Sequence, residues 1–168
     1  MEQWVITPLH HVWLQQILTK TMTGQAMILV VQGNPDDASL LSLAFDETKR
    51  PTKVHFVPDG KQAINYLRGT HPYENRAQFP LPSLLLVDLR LHGMSAFELL
   101  DWVRLDPSLN RIGVGVLVEL EHDPDIQKAH VFGADFHIIK PGSFREMVTM
   151  AERLSECAAI FVERSLGA

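Results

Sequence analysis

Five short apolar stretches recur along the chain, and each is followed by the signals that start a helix. They are Met27 to Val31, Lys53 to Val57, the run "SLLLVDL" that contains Asp88, Val114 to Val118, and "FHIIK" ending on Lys140. Most are continuous in apolar residues rather than alternating with polar ones, the pattern of strands buried on both faces. Strands of that kind need helices above and below them, and parallel pairing needs a helical crossover between each pair. The alternation therefore predicts an α/β fold, a doubly wound (βα)5 unit with a parallel five-stranded sheet. Right-handed crossovers leave few topologies, of which the flavodoxin-like order 2-1-3-4-5 is the common one.

The helices between the strands carry their own punctuation. Asn34 is an N-cap residue with Pro35 at the first helical position and Asp36 and Asp37 in the first turn, where they suit the helix dipole. That helix is expected to turn Leu40, Leu41 and Ala44 inward and to stop before Pro51. Asp59-Gly60 leads into a helix with Ala63, Ile64 and Leu67 at helical spacing, ending near Gly69. Ser95 caps a helix running to Leu105 that carries Trp102, expected on the pocket side. Pro124 to Phe132 reads as a short helix closed by Gly133, and Ser143 caps a long final helix. The segment "GTHPYENRAQFPLP" is a proline-containing loop, long for a compact domain.

Two divisions of the chain follow: residues 1–25 as an N-terminal helical extension, and residues 26–168 as the α/β domain. In the extension Thr7 and Pro8 open a helix, and Leu9, Val12, Trp13, Leu14, Ile17 and Leu18 form an apolar stripe. Such a helix either packs on its own domain or serves a dimer or partner, for which two tryptophans are typical anchors.

Bulk properties exclude several classes. A formal charge of −5, with no run of Lys or Arg, gives no electrostatic reason to bind nucleic acid. No apolar stretch approaches the ~20 residues of a membrane span, and Glu2 stands where a signal peptide would carry positive charge. Cys157 is the single cysteine, compatible with a reducing compartment. The expectation is a cytoplasmic protein. The eight histidines show no i, i+4 or cysteine-containing ligand spacing, so no metal site is expected from them.

Four stretches resemble the receiver domain of two-component response regulators, the CheY-like family: "ILVVQGNPDDASLL", "PSLLLVDLRLHGMSAFELL", "RIGVGVLVELEHDPDIQKA" and "FGADFHIIKPGSF". The inserted "LRGTHPYENRAQFPLPSLLLVD" looks most like the single-domain regulators that partner phytochrome-type histidine kinases. The resemblance implies a nucleophilic aspartate at the end of the third strand, matched by Asp88. It implies a lysine after the fifth strand that pairs with the phosphoryl group, matched by Lys140. It also implies an acidic pair after the first strand that helps bind Mg²⁺; Gln32 and Gly33 stand there instead. The hydroxyl position after the fourth strand falls on Val118, and the aromatic switch position on the last strand is His137.

Taken with Arg90 two residues past Asp88, these departures leave Asp88 and Lys140 as a pocket of net zero charge. Mg²⁺ usually needs one or two carboxylates besides phosphate oxygens and waters, so metal affinity is expected to be strongly reduced. Asp88 and Lys140 then read as a buried ion pair, as a site of residual phosphotransfer, or as the lining of an unrelated ligand pocket.

The resulting expectation is a stand-alone, non-enzymatic pseudo-receiver. It acts by protein–protein contact, without an output domain and without a cofactor, and its partner is a signalling protein such as a histidine kinase. A homodimer is expected through the family's usual face at the fourth helix and fifth strand. The alternative is a conventional regulator phosphorylated on Asp88 by a histidine kinase, in which case Mg²⁺ is required.

Overall fold

A computed structural model describes residues 26–166, with side chains described through Val162; the expected N-terminal helix lies outside the described residues. The elements run β1 (Met27–Val31), α1 (Pro35–Glu47), β2 (Lys53–Val57), α2 (Gly60–Arg68), β3 (Leu84–Asp88), α3 (Ala96–Leu105), β4 (Gly113–Val118), α4 (Asp125–Val131), β5 (Phe136–Ile139) and α5 (Phe144–Leu166). The sheet is five-stranded in the order β2-β1-β3-β4-β5, with every pairing parallel. This is the flavodoxin-like arrangement that the alternation of buried strands dictates.

Every residue of β1, β3 and β4 is buried. Alternate side chains feed two cores. One holds Leu29, Val31, Leu85, Val87, Val116 and Val118 with residues of α2, α3 and α4. The other holds Ile28, Val30, Leu84, Leu86, Leu117 and Ile138 with residues of α1 and α5. Burial of each large aliphatic side chain contributes about 1.5–3 kcal/mol. In β4 the absence of side chains matters: a Cβ on Gly113 would overlap the Phe161 ring, and one on Gly115 would overlap the Phe136 ring. The two glycines let both rings lie directly on the sheet.

The helix punctuation is realised in detail. Asn34 Oδ1 accepts from the Asp36 N–H at 2.9 Å and the Asp37 N–H at 3.5 Å. Ser95 and Glu98 form a reciprocal capping box at the start of α3. Gly69 closes α2 at φ +68°, the left-handed conformation that glycine adopts without steric cost.

Two expectations need correction. Leu41, Ala44 and Phe45 form the buried face of α1, but Leu40 lies on its flank and is 45% exposed. Trp102 is not near the pocket: the Arg68 guanidinium sits 5.0 Å over its ring. Arg68 is the last residue of α2, which runs back toward the amino ends of the strands.

The long loop after α2 is an ordered cap. Arg76 donates to the Tyr66, Leu67 and Phe79 carbonyls at 2.8, 2.6 and 3.2 Å. It thereby satisfies carbonyls that the end of α2 leaves without intrahelical donors. Tyr66, Tyr73, Phe79 and His55 pack as a cluster, each ring within 6.0 Å of the others. The Tyr66 hydroxyl donates to the Pro80 carbonyl at 3.0 Å. Burial within this cluster pushes the Tyr66 phenol up to about 12 and lowers the His55 imidazole below its ordinary value.

Candidate functional site

The carboxyl ends of β1, β3, β4 and β5 converge on Lys140, the first residue past β5. Its backbone N–H donates to the Val118 carbonyl at 2.8 Å, which carries the β4–β5 pairing one residue past β5. Its ammonium lies 2.7 Å from Asp88 Oδ2, 2.8 Å from Glu119 Oε1 and 3.2 Å from Asp37 Oδ2. Burial works against the charge on Lys140, but the hydrogen bonds to Asp88, Glu119 and Asp37 outweigh it and raise its pKa well above the ordinary lysine value.

The net-zero pocket expected from Asp88 and Lys140 alone is therefore wrong. Three carboxylates surround one ammonium. Asp37 reaches the site because the first turn of α1 starts above the end of β1. Glu119 reaches it because it is the first residue past β4. Both positions become legible only once the strand ends are known to converge.

The remaining expected positions are each placed. Asp88 is the last residue of β3 and is 2% exposed; its Oδ1 accepts the Arg90 N–H at 2.8 Å. Both of its oxygens are thus engaged by protein donors. Gln32 is buried, and its Oε1 accepts the Asn34 N–H at 3.0 Å, so this side chain braces the turn into α1. Gly33 lies in that turn, with space for a Cβ at ordinary contact distance from the Pro58 carbonyl. Val118 is 1% exposed and belongs to the core under α2–α4, presenting no hydroxyl to the pocket. Arg90 extends away from Asp88, and its guanidinium lies 3.7 Å from the Asp123 carboxylate in the β4–α4 loop.

His137 is buried on β5 and is not isolated. His130 Nε2 lies 3.1 Å from His137 Nδ1, and His130 Nδ1 lies 3.0 Å from the Ala134 carbonyl. A carbonyl only accepts, so His130 carries its proton on Nδ1 and, when neutral, accepts from His137 through Nε2. Burial, reinforced by His130, lowers the His137 pKa below its ordinary value. The search of the histidines for ligand spacing missed this pair, because a separation of seven residues across a turn is no familiar ligand spacing.

The cation-binding capacity of the site follows from this geometry. Gln32 and Gly33 stand at the two positions where the resemblance implies an acidic pair, and the Gln32 side chain is turned to Asn34. The two additional carboxylates face Lys140 rather than an open position beside Asp88. Among the described residues no group of three or more His, Cys, Asp or Glu side chains is arranged to hold a metal ion.

Comparison with known proteins agrees with the architecture. The family model described as response regulator receiver domain matches residues 28–152. The probable methanogenesis regulatory protein FilR2 of Methanothrix harundinacea is 32% identical over 130 residues, covering 77% of this chain and 81% of that protein. Response regulator Rcp1 of Synechocystis is 25% identical over 126 residues, covering 75% and 84%. The crystal structure of the phosphorylated cyanobacterial phytochrome response regulator RcpA superposes with a TM-score of 0.70 at 28% identity, covering 79% of this chain and 93% of that one. Among the described residues no helix is long and apolar enough to cross a membrane. The sheet order, the aspartate ending β3, the lysine following β5 and these matches place the chain in the response regulator receiver domain family.

Proposed function

We propose that this protein is a pseudo-receiver, a cytoplasmic signalling module that works by protein–protein contact and does not run the Mg²⁺-dependent phosphoryl switch. The observation that carries the reading lies just past β1: Gln32 is buried with its Oε1 turned to the Asn34 N–H, and Gly33 has no side chain, so neither position supplies a carboxylate beside Asp88. Gln32, Gly33 and Val118 add no charge and no hydroxyl to the pocket, and hydrogen bonds to charged groups of the kind lost there are worth about 1.5–3 kcal/mol each. Its partner on this reading is a signalling protein such as a histidine kinase, and a homodimer is part of the proposal. On this reading residues 1–25 are an extension, packed on the domain or serving a partner or dimer, ahead of a receiver domain of residues 26–168.

A specific observation favours a second reading, a conventional regulator phosphorylated on Asp88 with Mg²⁺. Asp88 is retained at the end of β3 with its lysine 2.7 Å away, the pair that phosphotransfer would use. Calorimetric titration with Mg²⁺, paired with amide NMR shifts, separates the two. The pseudo-receiver shows no saturable site in the millimolar range. Saturable shifts centred on Gln32, Asp88 and Arg90 would favour the conventional regulator.

A further inference from the structure

The β4–α4 loop is held by two charge pairs that originate outside it. At its start Glu119 Oε1 lies 2.8 Å from Lys140 Nζ. At its far end Asp123, whose side chain is 7% exposed, lies 3.7 Å from the Arg90 guanidinium. Between them Leu120 is 65% exposed. An ammonium has three N–H donors, and Lys140 has three carboxylate neighbours, on α1, β3 and this loop. Its donors are thereby filled from within the chain. Glu119 is the partner that ties the loop to the sheet, since Asp37 and Asp88 belong to elements already packed.

We propose that Glu119 is a built-in anionic tether: its carboxylate, in place of a phosphoryl group, holds the β4–α4 loop down on Lys140 and fixes the module in one state. This rests on the pseudo-receiver reading and deepens it, because it names what sets the conformation when the pocket is not switched by phosphorylation. Arg90 and Asp123 act with it by holding the other end of the same loop. The state is therefore a property of the sequence, and it responds to whatever competes for Lys140.

The test is hydrogen–deuterium exchange on the full chain, wild type against Glu119→Gln. The substitution keeps shape and removes charge at a half-exposed position, so the fold is retained. The reporting amides are Asp123 N–H, bonded to the Leu120 carbonyl at 3.2 Å, and Ile126 N–H, bonded to the Asp123 carbonyl at 3.1 Å. The tether predicts a several-fold loss of protection at these two amides, with β1 and β3 unchanged, and a smaller loss in wild type at high salt. Unchanged protection at residues 119–126, or an equal loss throughout the sheet, would overturn it. Exchange reads the loop and the Mg²⁺ titration reads the pocket, so failure of the tether and failure of the pseudo-receiver reading are distinguishable.

Discussion

Lys140 Nζ and Asp88 Oδ2 are 2.7 Å apart at the closed end of the sheet, with Asp88 2% exposed. The two are unequal partners. Lys140 has two further carboxylates, Asp37 and Glu119, whereas the Asp88 side chain has Lys140 as its counter-charge and the Arg90 N–H as its other donor.

That asymmetry predicts the ranking of two substitutions. Lys140→Met leaves a buried carboxylate uncompensated beside two others. Breaking a fully buried pair costs about 3–5 kcal/mol, and the 19% exposure of the Lys140 side chain places this case toward the lower end. Asp88→Asn leaves Lys140 with two counter-charges and costs less. Urea unfolding of both variants measures the difference; equal losses would contradict it.

His55 and His137 together predict an acid-side loss of stability. His55 and His137 both have pKa values lowered by burial from 6.5, His137 also by His130. Between each lowered value and 6.5 the unfolded chain binds more protons than the folded one, so stability rises with pH in that window. Stability therefore falls as pH drops below about 6.5 toward the lowered folded-state values. His137→Gln removes one contributor and flattens the slope, which thermal unfolding across that range would detect.

Close approach at β4 gives a packing prediction. Gly115→Val drives a side chain into the Phe136 ring, and overpacking of this kind costs about 1–3 kcal/mol. An unfolding midpoint unchanged from wild type would contradict the arrangement of Phe136 on the sheet.

The insert after α2 is predicted to depend on Arg76. Arg76→Ala removes donors to three carbonyls, and leaving such groups unsatisfied costs about 1–3 kcal/mol. Exchange should rise at the Tyr73 and Phe79 amides, which are bonded within the loop, before it rises in the sheet.

Much of the fold was legible in the chain, because buried parallel strands leave a continuous apolar signature and Asn34, Asp59 and Ser95 are local signals with local consequences. The site was legible only in part. Asp88 and Lys140 could be placed because each ends or follows a strand. Asp37 and Glu119 escaped because their roles depend on four strand ends meeting at one point, a property of topology rather than of any short motif. The His130–His137 pair escaped because seven residues across a turn is no familiar ligand spacing. Leu40 was misplaced because its spacing from Ala44 suits the buried stripe, while the actual stripe is centred on Leu41, Ala44 and Phe45.

The pseudo-receiver reading is tested most directly by intact-protein mass spectrometry after incubation with acetyl phosphate and Mg²⁺, and separately with a cognate histidine kinase, with Asp88→Asn as control. The account predicts no phosphoryl-sized mass gain on the folded wild-type protein by either route. A gain that disappears in Asp88→Asn would contradict it and establish Asp88 as a working phosphoacceptor.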